Sequence, residues 1–593
     1  MSILASLAKA YERLPDAPPF GYSMQNIGVV VGLNEDGSVA SVSPWFDGEG
    51  RKRKPRPMQV PQPVKRTVAI APNFLWDKTA YVLGVTAGEG KRTAGEHAAF
   101  KYYHENALTG TDDVGLKALL LFLSQWTPEQ FAAPLWSDDL KDQNVVFALE
   151  SERRQNRWLH ERQAAREAWG RLSDGDEENA QICLVTGQPG PIARLHPAIK
   201  GVWGGQSSGG SIVSFNLDSF TSYGHEQGDN APISDYAAFA YTTALNIYLA
   251  DRKHRLQIGD ASTVFWADSE DAEAAARVEA LFPEFFDPAR DDADTAKDIK
   301  ILLERLRKGD QDLGDELALE AGPLADKVKK GVRFHVLGLA PNAARISIRF
   351  YHESDFGELA KNYRHFIDDM RIEPPWRDPY PPLWRYLVEI AVLGKRENVP
   401  PNLAGEWMRS ILNGTDYPLT LLTAVLSRIR ADGEINALRA SILKAILTRN
   451  YERKVPVALN PTMTVSKGYL LGRLFAVYEE IQRAALGGNV NATVKDKFYG
   501  SASATPGKVF GFLESNSAKH LAKVRKLNFG RAVNLQKLQE EIMDLMEPAE
   551  TPYPSFFSTD EQALFGLGYH HQHSDFFKSR KGNQTDASGE TGQ

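Results

Sequence analysis

The residues with the most obvious chemical potential lie in a glycine-rich stretch from 201 to 211, where five of eleven residues are glycine. Residues 205–209 match the G-x-S-x-G pattern of hydrolases, in which the serine, here Ser207, attacks the substrate. That pattern requires a strand before the serine and a helix after it. Here a proline-containing segment precedes, and the alternation of polar and apolar residues over 211–216 predicts a strand behind. Catalysis by Ser207 is therefore the weaker interpretation.

The same stretch suits close contact with a polar or phosphorylated surface. Glycine permits positive φ angles and lets a backbone approach another molecule closely, while glutamine and serine supply short donors and acceptors. The loop either contacts such a surface or is a plain flexible hairpin tip, and the resemblance described below favours contact with nucleic acid. Its members are Gly204, Gly205, Gln206, Ser207, Ser208, Gly209 and Gly210.

Two segments carry cations without any acidic residue, although the whole chain has a net charge of −7. Because the chain is acidic overall, contact with nucleic acid has to come from such local patches, which suit phosphate. The alternative for both is a solvated charged surface. The first segment, a predicted basic loop, holds Arg51, Lys52, Arg53, Lys54, Arg56, Lys65 and Arg66, and the second, from 517 to 539, holds Lys519, Lys523, Arg525, Lys526, Arg531 and Lys537.

Asn73 has two interpretations of equal weight. Its side-chain amide is both a donor and an acceptor, so it can address the edge of a base in a DNA groove. Asparagine is also a preferred residue ahead of a helix, and a helical region is predicted from Asn73 to Gly84.

Other candidate constellations are incomplete. His570, His571 and His573 lie near Asp575, but no further histidine–carboxylate pair is spaced to complete a metal site, so a helical surface or a nucleic-acid contact is the better interpretation. Residues 88–93 depart from the G-x-x-x-x-G-K-[ST] spacing of a P-loop. We therefore expect no catalytic residue, no metal and no cofactor.

Composition limits the class of protein. At 593 residues the chain is long enough for two to four domains, and its composition is that of a globular protein. Cys183 is the one cysteine, which excludes a disulfide framework and fits a reducing compartment. No apolar run is long enough for a membrane span, and the N-terminus lacks the charge pattern of a signal peptide. We expect a cytoplasmic protein.

Hydrophobic periodicity predicts an α+β fold: a mixed N-terminal domain with antiparallel strands and inserted helices, followed by a C-terminal helical bundle. A hairpin is predicted around Asp36-Gly37, and residues 268–298 are predicted to be an exposed acidic insertion. Predicted helices are 2–13, 94–107, 113–125, 154–171 and 235–250, and predicted strands are 27–31, 38–42, 144–149, 182–186, 262–267, 333–339 and 345–350.

Five prolines between 374 and 382 predict a linker, after which the pattern is nearly all helical. The predicted domains are a mixed α/β domain that contacts DNA (1–375), a helical linker and bundle part (376–462), and an autonomous helical module (463–593) whose residues after Lys578 are disordered. The predicted helices are 383–394, 402–413, 418–432, 435–450, 464–486, 516–527 and 533–547.

Several stretches, in order along the chain, resemble the large subunit of the type I-C CRISPR Cascade interference complex. Each motif alone is weak, but the ordered set covers nearly the whole chain. The stretches are Val60 to Arg66, Asn73 to Asp77, the glycine loop with Ser214 to Asn216, Ala250 to His254, Val264 to Ala267, Ala344 to Arg349 and Gly568 to Gln572.

The resemblance implies a non-catalytic protein at one end of an RNA-guided complex. Such a subunit reads the protospacer-adjacent motif (PAM) in double-stranded DNA, assists duplex opening and R-loop formation, and recruits a separate helicase-nuclease. The implied partners are CRISPR RNA, target DNA, the backbone subunits, the subunit at the RNA 5′ end and a small subunit resembling residues 463–593. A serine hydrolase and a general RNA-binding assembly factor stay as alternatives.

Overall fold

The computed structural model describes residues 2–15, 17–48, 53–64, 66, 69–173, 180–286, 304–305, 332–377, 380–461, 466–487, 492–546 and 551–587. The chain divides into two compact units. Unit 1 comprises Met1–Ile199 and Ser211–Ile247, and unit 2 comprises Lys200–Gly210 and Tyr248–Gln593. The predicted boundaries at 375 and 463 stay predictions, although one hydrophobic core of unit 2 contains residues on both sides of each.

The described part of unit 1 contains three small sheets. Their strand orders are β3-β2-β7-β6, β1-β5-β4 and β8-β9. The strands are β1 (Tyr22–Ile27), β2 (Val29–Leu33), β3 (Val39–Pro44), β4 (Phe46–Asp47), β5 (Lys54–Pro61), β6 (Trp76–Lys78), β7 (Asn144–Leu149), β8 (Ala180–Ile182) and β9 (Pro189–Pro191). The helices are α1 (Ile3–Tyr11), α2 (Thr79–Val82), α3 (Thr93–Ala107), α4 (Val114–Gln125), α5 (Glu150–Arg153), α6 (Gln163–Ser173) and α7 (Asp235–Ala250), which continues into unit 2.

The predicted hairpin is confirmed as β2 and β3. Gly37 turns the chain with a φ of 83°, and the Asp36 carboxylate accepts the backbone N–H of Ser38 at 2.9 Å. β2 is buried at every position because its side chains pack into two hydrophobic clusters, one on each face. β7 pairs with it in parallel, from Val29 opposite Val145 onward. Strands buried on both faces read as continuous apolar runs, which is why this one was recognisable.

Several predictions for unit 1 are wrong. The basic loop is in part a strand, since β5 pairs with β1, and the helix predicted from Asn73 begins only at Thr79, after β6. The strand predicted over 182–186 is wrong except at Ile182, the exposed last residue of β8. Proline has no backbone N–H to donate to a strand ladder, so the prolines of β5 make a strand hard to recognise in the sequence. They are tolerated because β4 pairs only with Lys54 and Pro55, which leaves the rest of β5 as an edge.

Unit 2 begins with an antiparallel sheet of order β10-β11-β12-β13, whose last two strands confirm the predicted hairpin over 333–350. The acidic segment is not wholly an exposed insertion, because Phe282 and Phe285 of its helix are buried in the core; residues 287–298 lie outside the described part. The elements are β10 (Arg255–Ile258), β11 (Ala261–Asp268), α8 (Ala272–Phe286), β12 (Arg333–Asn342), β13 (Arg345–Asp355) and α9 (Phe356–Met370).

The rest of unit 2 is helical, as predicted. Its helices are α10 (Leu383–Glu389), α11 (Pro401–Asn413), α12 (Leu419–Asp432), α13 (Ala437–Arg449), α14 (Lys467–Leu486), α15 (Val494–Ala504), α16 (Pro506–Leu527), α17 (Phe529–Asp544) and α18 (Thr559–Ala587). Helix α18 is described as far as Ala587 and the residues beyond lie outside the described part, so the disordered tail predicted after Lys578 stays a prediction. The α+β class is confirmed.

The packing of α14 against α18 depends on small residues. A Cβ on Gly472 would lie 2.0 Å from the carbonyl oxygen of Phe565, and one on Gly568 would lie 2.1 Å from that of Tyr469. The two backbones can approach so closely only because these positions have no side chain. Within the described part of the chain, no helix is long and apolar enough to cross a membrane.

Candidate nucleic-acid interface

The glycine loop consists of two successive turns. The backbone N–H of Gly205 donates to the carbonyl of Val202 at 3.0 Å, and that of Gly209 donates to the carbonyl of Gln206 at 2.9 Å. Gly204 and Gly209 have φ angles of 73° and 89°, which other residues rarely adopt. Residues 204–208 are exposed, so the tip of the loop is open.

The base of the loop rests on the sheet of unit 2. A Cβ on Gly210 would lie 3.0 Å from Cγ1 of Ile346, and one on Gly204 would lie 3.6 Å from Pro341, at the tip of the β12–β13 hairpin. The backbone N–H of Trp203 donates to Oγ of Ser262 in β11 at 2.9 Å. An exposed tip is therefore held on a rigid base, an arrangement suited to presenting backbone groups to a ligand.

The geometry of a hydrolase nucleophile is not formed around Ser207. This serine lies in a turn, and the strand predicted over 211–216 is not formed, because the backbone there makes no ladder with another strand. No helix follows until the short turn at Asp218–Phe220. The strand–turn–helix arrangement that would activate and expose such a serine is thus missing.

Asn73 is buried, with 3% of its surface exposed. Its Oδ1 accepts the backbone N–H of Val64 at 3.0 Å, and its own backbone N–H donates to Oδ2 of Asp77 at 2.9 Å. Lys78 is the residue that precedes α2, so the interpretation of Asn73 as a helix cap is wrong. The side chain instead fixes the segment between β5 and β6.

Asp77 organises this segment. Its buried carboxylate also accepts the backbone N–H of Lys78 at 2.8 Å and both terminal nitrogens of Arg66, one of them at 3.0 Å. The Arg66 guanidinium donates through Nε to the carbonyl of Ala71 at 2.6 Å and lies 4.0 Å from the ring centre of Tyr81. The guanidinium of Arg66 therefore stabilises the fold more than it serves contact with a phosphate.

The buried side chain of His104 also fixes the segment between β5 and β6. Leu75 has a φ of 63°, and its backbone N–H donates to Nε2 of His104 at 2.8 Å. Nδ1 of His104 in turn lies 2.8 Å from the carbonyl of Phe100, as a donor does. Burial lowers the pKa of His104 to about 4, so the ring is neutral near pH 7 and Nε2 is free to accept.

The cations of the first segment differ in availability. Arg53 pairs with Asp139 at 3.3 Å and lies over Phe46, and Arg56 pairs with Asp47 at 2.7 Å. Lys54 is exposed at the start of β5. The predicted phosphate ligands Arg51, Lys52 and Lys65 lie outside the described residues.

The cations of the second segment form an exposed face of α16. Lys519, Lys523 and Lys526 are exposed, and Arg525, also exposed, donates to Gln536 of α17. Arg531 instead pairs with Glu480 of α14 at 2.6 Å. The four residues of α16 therefore stay candidates for contact with phosphate.

The histidine cluster is not a surface contact. His570 and His571 are 6% and 1% exposed, within the core of unit 2, and burial lowers the pKa of His570 to about 4. Nδ1 of His571 lies 2.9 Å from the hydroxyl of Tyr469. The interpretation as a helical surface or nucleic-acid contact is wrong for these two residues. Among the described residues, no cluster of histidine, cysteine and carboxylate side chains could hold a metal ion.

Sequence reasoning missed three residues around these surfaces. Asp77 and His104 fix the Asn73 segment, but no sequence pattern shows that the Asp77 carboxylate meets Arg66 or that the His104 ring meets the backbone of Leu75. Trp203, 68% exposed beside the glycine loop, could have been recognised, because an exposed aromatic next to a glycine turn is typical of binding surfaces.

The described residues thus place an exposed glycine loop on the sheet of unit 2 and a row of exposed cations on α16. The family model of the CRISPR-associated protein Cas_Csd1 matches residues 7–577, nearly the whole chain. The chain therefore belongs to the Cas_Csd1 family, which supports its assignment as a large subunit of a CRISPR Cascade complex. No curated protein matches the chain in sequence.

Proposed function

We propose that this chain is the PAM-reading large subunit of a type I-C complex and that its glycine loop enters a groove of the target duplex. The observation that carries the proposal is the open tip of this loop on a base held by β11 and the β12–β13 hairpin. Backbone N–H and carbonyl groups can then reach base edges in a groove too narrow for larger side chains.

Sequence recognition is divided in such a complex. Guide RNA reads the target by base pairing, and protein reads the short PAM and the shape of the backbone. The chain would thereby assist duplex opening, hold the displaced strand on α16 and recruit the helicase-nuclease. Its other partners would be the backbone subunits, the subunit at the RNA 5′ end and the small subunit.

Asn73 provides the test of PAM reading. Because Asn73 is buried and its Oδ1 holds Val64, it would act by positioning the segment between β5 and β6. We expect Asn73→Ala to reduce binding of the assembled complex to a duplex with the correct PAM more than to one with a scrambled PAM, measured by gel shift. Asn106→Ala is the control, because Asn106 is exposed and bonds only within its own helix. An equal loss on both duplexes would assign the Asn73 side chain to holding Val64 alone. Absence of any PAM preference in the unaltered complex would reject the proposed function.

The first cationic segment is expected to contact phosphate. Replacing Arg51, Lys52, Arg53 and Lys54 together with alanine should weaken binding to all DNA sequences alike. The slope of log K against log[salt], which is negative, should become shallower by about 0.9 for each phosphate that is no longer neutralised. Because Arg53 already pairs with Asp139, the change in slope should correspond to fewer than four phosphates. Lys91→Ala with Lys117→Ala is the control, and an unchanged slope in the quadruple variant would contradict the assignment.

A further inference from the structure

A cavity of about 210 Å³ opens between α14, α15 and α16. For comparison, a cavity of about 150 Å³ in another protein holds one benzene molecule. Its walls mix apolar and polar groups, including Phe498, Phe512, Asn516, Ser517 and His520. The size and the lining fit one planar, polar ring system.

The floor of the cavity contains a buried hydroxyl with no partner. Ser517 is 2% exposed, and its Oγ makes no hydrogen bond to any described residue. A buried polar atom left without a partner costs about 1–3 kcal/mol, so native structures rarely keep one without a reason. An unpaired hydroxyl lining an open cavity points to a ligand that completes it.

Aromatic rings line the same cavity, and cations continue from it along α16. The rings of Phe498 and Phe512 lie 5.6 Å apart, and Phe512 is 54% exposed, so a flat ligand can stack on it. Lys519 and Lys523 follow Asn516 on the same face of α16 at helical spacing. Burial and the neighbouring Lys523 lower the pKa of His520, which leaves a neutral ring at the rim.

We propose that this cavity binds one nucleobase of a single strand whose phosphates lie along Lys519 and Lys523. The base would stack on Phe512 and bond to Ser517 and Asn516. This combination of an aromatic platform and a cationic track is the common means of binding single strands. The inference rests on the proposed function in so far as the displaced strand of the target is the natural source of that base.

The test uses the full chain and a single-stranded oligonucleotide that carries the fluorescent base 2-aminopurine. Fluorescence should change on binding, because the base exchanges the stack of its neighbours for the ring of Phe512. Ser517→Ala should weaken binding about fivefold without lowering the melting temperature, since it removes an unpaired hydroxyl. Phe512→Ala should weaken it about tenfold or more.

Two matched variants serve as controls. Ser503 is equally buried in α15, but its Oγ already donates to the carbonyl of Gly500 at 3.3 Å, so Ser503→Ala should bind normally. Phe556 is 71% exposed outside the cavity, so Phe556→Ala should bind normally too. No fluorescence change, or the same affinity for Ser517→Ala and Ser503→Ala, would overturn the proposal. The single-stranded probe contains no PAM, so its failure to bind would leave the PAM discrimination of the complex on duplexes untouched. If the complex instead binds the probe but does not discriminate between PAMs on duplexes, only the proposed function is rejected.

Discussion

Gly205→Val is expected to lower the affinity of the assembled complex for a PAM-containing duplex by about tenfold or more, in the range of one mismatched base pair. A Cβ at this position would lie 3.0 Å from the carbonyl oxygen of Val202, so the first turn of the loop has to shift. The two methyl groups of valine would also project where the backbone is proposed to enter the groove.

Gly170→Val is the control for this change. Gly170 lies in α6, and a Cβ there would meet no atom within 4 Å. Both variants should melt like the unaltered chain, because the glycine loop is exposed and Gly170 has free space around it. Near-normal binding by the Gly205 variant would remove the loop from the DNA interface.

Asp77→Ala is expected to destabilise unit 1 by about 3 kcal/mol, because breaking a buried ion pair leaves a charge without its partner. The Arg66 guanidinium would lose both of its bonds to the carboxylate, and the backbone N–H groups of Asn73 and Lys78 would lose their acceptor. For a unit of this size the melting temperature should fall by about 6–12 °C. Asp77→Asn keeps an acceptor oxygen and should lose less.

Asp112→Ala is the matched control, since Asp112 also pairs with a cation, Lys117, at 2.9 Å but its side chain is fully exposed. Exposed pairs contribute little, so its melting curve should not shift measurably. Equal curves for the Asp77 and Asp112 variants would show that the buried network does not stabilise the fold. Asp77→Ala should also weaken PAM discrimination if the Asn73 segment contributes to it.

The sequence by itself determined the class of the fold and the position of the glycine loop. Periodicity located the β2–β3 and β12–β13 hairpins, because alternation along a strand is a local signal set by one buried face. It also indicated the helical C-terminal region. Glycines 204 and 209 marked the turns for an equally local reason, the steric limit on positive φ.

Only the tertiary structure decided which polar residues are available. Arg53 and Arg66 look alike in a cationic run without acids, yet each meets a carboxylate outside that run, Asp139 and Asp77. Ser517 looks like any serine of a helix until α14 and α15 enclose it beside a cavity. Local patterns report burial and turn geometry, whereas pairing of charges depends on contacts that only the folded chain creates.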